Sequence, residues 1–153
     1  MASFPFRDGV RFIGLFFSAA MFLSGCGGTA EKAAQEASNL KPLMVLYGQY
    51  IGMHRGQPPA SEAEFKAYIK SVKPEVLKSL GAENPDSLFT SSRDQKPYVI
   101  IYGPASGPPG PAGQPVVAYE QEGVGGKRYV ASTLGAIEEV DETRFRELVP
   151  NAK

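Results

Sequence analysis

Residues 116–133, VVAYEQEGVGGKRYVAST, decide the fold of this chain. Both ends of the stretch are rich in β-branched and aromatic residues, which favour β-strands. Gly125 and Gly126 lie between them, where a tight hairpin turn needs residues that adopt positive φ angles. The stretch therefore predicts an antiparallel hairpin, with one strand over 116–120, a turn over 122–127 and a returning strand over 128–133.

More strands are predicted on either side of this hairpin. Residues 98–102, YVIIY, are β-branched and aromatic throughout and predict a strong strand, while 88–90 predict a short one. After the hairpin, a tight turn at Gly135 leads to a strand over 136–140. The second half of the chain is therefore predicted to form an antiparallel meander of three or four strands.

The first half of the chain has helical periodicity. Residues 39–54 place apolar side chains on one broad face, and Ser38 or Asn39 is expected to cap this helix. Gly48 and Gly52 weaken a helix relative to alanine, so we expect them to mark close packing against a neighbour. The residues of the apolar face are Leu40, Leu43, Met44, Tyr47, Tyr50, Ile51 and His54.

Two shorter helices are predicted to follow. Ser61 and Glu64 form a capping box that begins a helix ending near residue 72. Pro74 then begins a short helix that Gly81 ends. The inward side chains are expected to be Phe65, Tyr68, Ile69 and Val72 in the first helix, and Val76, Leu77 and Leu80 in the second.

A last helix over 142–149 is predicted to begin at Asp141 as its cap and to pack on the sheet through Phe145, Leu148 and Val149. The fold class is therefore α+β, with N-terminal helices followed by a three- or four-stranded antiparallel sheet and a C-terminal helix. We expect residues 39–153 to form a single small domain.

The N-terminal region has the three-part layout of a secretory signal. Arg7 and Arg11 precede the apolar run 12–23, and the sequence Leu23-Ser24-Gly25-Cys26 follows it. The run is shorter than the roughly 20 residues that a transmembrane helix needs. A plain secretory signal and a buried core helix are the alternative interpretations of this segment.

The motif Leu23-Ser24-Gly25-Cys26 resembles the lipobox of bacterial lipoproteins. The resemblance implies that 1–25 are a lipoprotein signal peptide and that Cys26 carries the lipid, palmitate among its acyl chains. Residues 26–38, small and polar, would then be the tether. Gly27 implies the periplasmic face of the outer membrane, if the source is Gram-negative.

Composition and charge exclude several classes of function. Lys and Arg number 16, and Asp and Glu also number 16, so the net charge is zero and no basic stripe predicts nucleic-acid binding. The single cysteine leaves no pair for a disulfide. Attachment to the membrane is therefore expected through the lipid on Cys26, and no cofactor is expected.

His54, the only histidine, is the first candidate for chemistry. A catalytic histidine needs a nucleophile and an orienting carboxylate, and a metal-binding one needs further ligands at suitable spacing. No such pattern accompanies His54, so we interpret it as a helix-end residue that interacts with the helix dipole. No catalytic and no metal-binding residue is predicted.

Acidic residues cluster at 120–122 and 138–139. Adjacent residues of a strand point to opposite faces, so we expect solvated faces paired with Lys127 or Arg128 rather than a shared carboxylate site. Residues 91–94, SSRD, are interpreted as a hydrogen-bonded turn, with anion binding as the alternative.

Two further segments are rich in glycine. Residues 123–127, GVGGK, superficially resemble a phosphate-binding loop, but they have the wrong spacing and lie in a hairpin. The loop 103–115 contains Pro108-Pro109-Gly110-Pro111 and is long for a hairpin connection. It is interpreted as a mobile excursion, with a binding loop as the alternative.

Three segments resemble known groups of proteins. Residues 93–103 and the hairpin 116–130 are similar to small uncharacterised lipoproteins of planctomycete-type bacteria. Residues 135–138, GAIE, resemble a C-terminal element of their prepilin-like proteins, with Leu134 and Ala136 at the positions of its Asp and His.

These observations lead us to expect a non-enzymatic envelope lipoprotein that has a structural role or binds an envelope protein partner. The alternatives are an accessory component of a pilus-like or secretion assembly, and a small hydrolase or ligand-binding domain.

Overall fold

The computed structural model describes residues 38–152. Its helices and strands follow in chain order: α1 (Leu40–Met53), α2 (Glu62–Ser71), α3 (Pro74–Ser79), a 3₁₀ helix (Pro85–Phe89), β1 (Val99–Ile100), a 3₁₀ turn (Pro111–Gly113), β2 (Val116–Tyr119), β3 (Lys127–Ser132), β4 (Ile137–Asp141) and α4 (Glu142–Leu148). The predicted signal peptide 1–25, the lipidation residue Cys26 and the tether up to residue 37 lie outside the described residues.

The four strands form one antiparallel sheet in the order β1-β2-β3-β4, as the sequence predicts. The central hairpin is confirmed, because Val124 and Lys127 pair across a turn in which Gly125 and Gly126 have φ angles of 63° and 75°. These positive angles are favourable for glycine and strained for other residues. With helices before the sheet and α4 after it, the predicted α+β class is confirmed.

The sheet separates two hydrophobic cores. The larger core lies between β2 and β3 and the helices α1 and α2, with Tyr47, Phe65, Val117 and Tyr129 among its buried members. The smaller core lies under α4 on the other face, and its members are Val116, Tyr119, Val130, Val140, Phe145 and Leu148. The alternation of side chains along β2 and β3 therefore supplies residues to both cores.

The predicted helix caps of α2 and α4 are confirmed. Ser61 Oγ accepts a hydrogen bond from the Glu64 N–H at 3.2 Å, and Asp141 Oδ1 accepts one from the Arg144 N–H at 2.8 Å. Before α1, Ser38 Oγ accepts from the Leu40 N–H at 3.1 Å. Ser38 is buried, so this residue of the predicted tether is already part of the folded domain.

The short strand predicted over 88–90 is wrong at Leu88 and Phe89, which end a 3₁₀ helix, and is confirmed only at Thr90, which forms an isolated antiparallel bridge with Pro97. Asn84 accepts a hydrogen bond from the Asp86 N–H, and Pro85 follows it at the start of a 3₁₀ helix. Asn and Pro together favour such a turn over an extended chain. Leu88 and Phe89 are still buried, so their apolar character signalled burial rather than a strand.

The strong strand predicted over 98–102 is confirmed only at Val99–Ile100. The Ile101 N–H still donates to the Val117 carbonyl of β2 at 2.7 Å, but other backbone groups next to the strand bond outside the sheet. The Tyr98 N–H donates to the Phe89 carbonyl at 2.9 Å, and the Ile101 carbonyl accepts from the Tyr47 hydroxyl at 3.1 Å. Tertiary hydrogen bonds thus override the strand propensity of these residues.

The close packing predicted at Gly48 and Gly52 is also wrong. Within residues 38–152, no atom beyond the local helix backbone lies within 4 Å of the position that a Cβ would take at either glycine. Both glycines lie on the outer side of α1, half-buried at Gly48 and exposed at Gly52.

Candidate interaction surface

Leu134 lies at the tip of the turn between β3 and β4. The turn is closed by hydrogen bonds from the Gly135 N–H to the Ser132 carbonyl at 2.9 Å and from the Ser132 N–H to the Ala136 carbonyl at 3.0 Å. Gly135 has a φ of 74°, which ends the turn and returns the chain to the sheet. The Leu134 side chain is 71% exposed. A turn closed by two hydrogen bonds therefore presents a large apolar side chain at the surface.

A groove of about 580 Å³ lies beside this side chain. We call it the Leu134 groove and define it by its apolar lining, which consists of Ile51, Pro58, Pro104, Ala105, Pro115 and Leu134. Gly56, Gln57, Gln114 and Thr133 complete the wall, and none of these described residues is charged. Such an uncharged apolar groove is suited to apolar side chains of a partner.

Hydrogen bonds to the body of the domain hold the walls of the Leu134 groove. The Gly103 N–H donates to the Pro59 carbonyl at 2.8 Å, which joins the start of the loop 103–115 to the link between α1 and α2. Pro111, further along the same loop, is buried. The two ends of the loop therefore contribute to a surface groove, which favours the alternative interpretation of a binding loop.

The sequence did not identify the Leu134 groove as a site. Its residues come from α1, from the link after it, from both ends of a loop and from a β-turn. The one local signal is Leu134 itself, because turn tips are usually polar and a large apolar residue there is unusual.

Glu120 contradicts the prediction of solvated acidic residues. Its side chain is fully buried, with one carboxylate oxygen accepting from the Ser91 hydroxyl at 2.9 Å and the other from the Tyr129 N–H at 2.8 Å. Arg93 lies 3.4 Å from the same carboxylate and 4.0 Å from the centre of the Tyr129 ring. A buried carboxylate with these partners joins the segment before β1 to the hairpin.

Glu122 and Glu138 are exposed, as predicted, although Glu122 pairs with Lys96 at 3.5 Å. Glu139 pairs with Lys127 at 3.8 Å, as predicted, but its side chain is only 20% exposed. Glu139 also pairs with Arg93 at 2.8 Å, a contact that connects distant parts of the chain.

The hydrogen-bonded turn predicted at 91–94 is confirmed. Ser91 Oγ accepts from the Arg93 N–H at 3.1 Å, and Asp94 Oδ1 accepts from the Lys96 N–H at 3.0 Å. Burial raises the pKa of Asp94, but hydrogen bonds from backbone N–H groups, that of Gly123 foremost, outweigh it and lower the pKa. Since Arg93 contacts two carboxylates, these residues stabilise the fold instead of forming an open anion site.

His54 lies at the C-terminal end of α1. Its ring stacks on Tyr50 at 3.8 Å, and its Nδ1 lies 2.8 Å from the Tyr50 carbonyl. Its side chain is exposed, although the periodicity placed it with the inward residues. It does not line the Leu134 groove. These contacts agree with the interpretation of His54 as a helix-end residue.

The Tyr50 hydroxyl donates a short hydrogen bond to Glu64. This bond raises the pKa of Tyr50 to about 12 and lowers the pKa of Glu64. Over residues 38–152 no group of three His, Cys, Asp or Glu side chains is arranged to hold a metal ion.

Nothing matches this chain among protein-family models, curated proteins or solved structures. In the part of the chain that the structure describes, no helix has the length and apolar character needed to cross a membrane.

Proposed function

We propose that this chain is a membrane-anchored envelope lipoprotein without enzymatic activity, and that its α+β domain binds a protein partner through the Leu134 groove. The observation that carries the proposal is the exposed Leu134 beside an uncharged apolar groove. The anchor is inferred from the sequence around Cys26, which lies outside the described residues. The partner is an envelope protein that inserts uncharged, apolar side chains.

The chemistry of the groove supports a protein partner more than a substrate. Enzyme sites bring together titratable groups with shifted pKa values, and the Leu134 groove has no charged lining residue. Without charges at the contact, affinity depends on apolar area, so binding should persist at high salt.

The anchor is tested by metabolic labelling with a palmitate analogue. Wild-type protein should incorporate the label, and a Cys26→Ser variant should not. Equal labelling of the two proteins would overturn the lipid anchor.

The groove is tested by in-cell crosslinking of the lipidated protein, comparing Leu134→Asp with Val124→Asp. Both positions are exposed apolar residues of β-turns, so Val124, which is 48% exposed, is a matched control. Crosslinking to one envelope protein at near-stoichiometric yield should survive Val124→Asp and be lost with Leu134→Asp. Crosslinking that survives both variants would contradict a role for the groove. The identity of the captured protein would show whether the partner belongs to a pilus-like or secretion assembly.

A further inference from the structure

The outer side of β1, at one edge of the sheet, is covered by the chain only at its beginning. The Ser91 N–H donates to the Lys96 carbonyl at 2.8 Å, and the Tyr98 N–H donates to the Phe89 carbonyl at 2.9 Å. These bonds place the segment 89–91 at the start of a fifth strand position, antiparallel to β1. Before Phe89 the chain is a 3₁₀ helix, so this pairing does not continue along β1.

The backbone of Ile100 faces the uncovered part of the edge. In an antiparallel pair, alternate residues direct their N–H and C=O groups to opposite sides of the strand. The Ile101 N–H donates to the Val117 carbonyl of β2 at 2.7 Å, so the N–H and C=O of Ile100 point away from β2. Within residues 38–152 neither of these two groups has a backbone partner. An exposed donor and acceptor of this kind can pair with another extended chain.

A groove of about 400 Å³ lies at this edge, and we call it the β1 groove. Ile100 lines it, so the unpaired backbone groups and the groove belong to the same site. The β1 groove shares no lining residue with the Leu134 groove. Its aromatic lining consists of Phe89, Tyr98, Tyr102 and Tyr119.

Of the described residues that line the β1 groove, only Glu62 is charged. Its carboxylate pairs with Lys66 on the same helix at 2.6 Å, yet 56% of the Glu62 side chain remains exposed. Burial, and next the charge of Glu62, raise the pKa of Tyr102, which places the carboxylate near this tyrosine. The end of the groove at Tyr102 therefore favours a basic residue in an occupant.

We propose that the β1 groove binds an extended segment of another protein, which adds to the sheet as a strand antiparallel to β1 and continues the position that Phe89 begins. One residue of the segment lies opposite Ile100 and exchanges two backbone hydrogen bonds with it. The residue two positions before it lies opposite Tyr102, on the same face of the sheet and near Glu62. The segment therefore has a basic residue two positions before an apolar one.

A second copy of β1 does not fit this position. Antiparallel pairing centred on Ile100 would place Tyr102 of the second copy beside Tyr98, where Phe89 already lies. Binding at the β1 groove needs neither the lipid nor the Leu134 groove and goes beyond the proposed function.

Hydrogen exchange measured by NMR provides the first test, on the full chain with Cys26→Ser in detergent micelles. The probe is the peptide acetyl-TKTVT-amide, whose valine is expected opposite Ile100 and whose lysine is expected opposite Tyr102. With a Kd of about 1 mM, a peptide concentration of about 5 mM should slow exchange of the Ile100 amide about sixfold. The Ile101 amide, which already donates to Val117, is the internal reference.

Two N-methylated probes are the matched controls. Methylation of the valine nitrogen removes the N–H that the Ile100 carbonyl would accept, so protection of the Ile100 amide should be lost. Methylation of the threonine nitrogen just before the valine changes an N–H that points away from β1, so protection should persist. Equal results with the two methylated probes, or no protection by the unmethylated probe, would overturn the proposal.

Substitutions at Ile100 provide the second test, with a fluorescein-labelled probe and fluorescence anisotropy. Ile100→Ala and Ile100→Pro both lose the isoleucine side chain, but only proline also lacks the outward N–H, which the ladder to β2 does not use. Ile100→Pro should bind the probe about tenfold more weakly than Ile100→Ala. Equal binding by the two variants would contradict strand addition.

Self-association is the remaining outcome to be measured. Protection of the Ile100 amide that grows with protein concentration, without any probe, would assign the edge to a second copy and overturn the proposal. Since the Cys26→Ser chain carries no lipid and the two grooves are separate, failure here leaves the proposed anchor and the Leu134 groove untouched.

Discussion

Glu120 stabilises the junction between the hairpin and the segment before β1. Its buried carboxylate satisfies the Ser91 hydroxyl and the Tyr129 N–H and faces Arg93. We expect Glu120→Ala to lower the free energy of unfolding by about 3 kcal/mol, because it leaves the buried Ser91 and Tyr129 donors without this acceptor and removes one of the two carboxylates that face Arg93. Urea unfolding followed by circular dichroism measures this loss.

Glu122→Ala is the control for this prediction, because Glu122 is an exposed acidic residue two positions away. Its effect should stay within about 0.5 kcal/mol. Equal effects of the two substitutions would contradict the structural role of Glu120.

The hydrogen bond between Tyr50 and Glu64 predicts that the stability of the fold decreases at both acidic and alkaline pH. The bond lowers the pKa of Glu64, so its contribution to stability is present above the ordinary glutamate pKa of about 4.3 and is lost as the pH falls towards the lowered value. It raises the pKa of Tyr50 to about 12, so on the alkaline side the contribution is lost as the pH rises from 10 to about 12.

Thermal unfolding across pH measures both effects. Below pH 4.3 the wild type should lose Tm faster than Glu64→Gln, and above pH 10 it should lose Tm faster than Tyr50→Phe. Curves for wild type and variants that remain parallel over both ranges would show that the bond does not contribute to folding.

The open space at Gly48 and Gly52 predicts that substitutions there can stabilise α1. Gly48→Ala and Gly52→Ala should each raise the free energy of unfolding by about 1 kcal/mol, because alanine has the higher helix propensity and its methyl group fits. Denaturant titration of the single variants measures the gain.

Gly123→Ala is the contrasting substitution. A Cβ at Gly123 would lie 2.1 Å from the Lys127 carbonyl oxygen, and its φ is 74°. This variant should be destabilised, by more than the stabilisation expected in α1. A loss of stability on Gly48→Ala or Gly52→Ala would mean that the helix face is covered more tightly than an alanine allows.

Elements defined by local signals could be predicted from the sequence. Ser61 and Asp141 accept from backbone N–H groups three residues ahead, and Gly125 and Gly126 supply the positive φ angles of a turn that Val124 and Lys127 close. The sequence around these residues therefore contains the information needed. Residues 98–102 could not be predicted in full, because Tyr98 and Ile101 bond to Phe89 and Tyr47, which depend on the tertiary fold.

The burial of Glu120 and the Leu134 groove could not be predicted from the local sequence either, because both depend on contacts between distant segments. Glu120 looked like a surface residue, and only the approach of Ser91 and Arg93 from about 30 residues away shows why it is buried. The Leu134 groove is likewise formed by segments that are distant in sequence. Hydrophobic periodicity does not indicate which distant segments come together.

The two hydrophobic cores share the strands that separate them. Val117 and Tyr129 face the larger core, while Val116 and Val130 face the smaller one. Damage to the smaller core should therefore weaken the whole domain and not only α4. We expect Leu148→Ala to lower the free energy of unfolding by about 2–4 kcal/mol, as for other buried leucines.

Hydrogen exchange distinguishes a cooperative domain from two independent layers. In a cooperative domain, Leu148→Ala should reduce the protection of the slowest amides in α1 and in β3 by the same factor, because both exchange through global unfolding. If α4 were an independent layer, protection would fall in α4 alone and α1 would keep its wild-type rates. The shared strands favour cooperative unfolding. Because β3 contributes side chains to both cores, loss of packing on either side should also loosen the hairpin that holds Glu120.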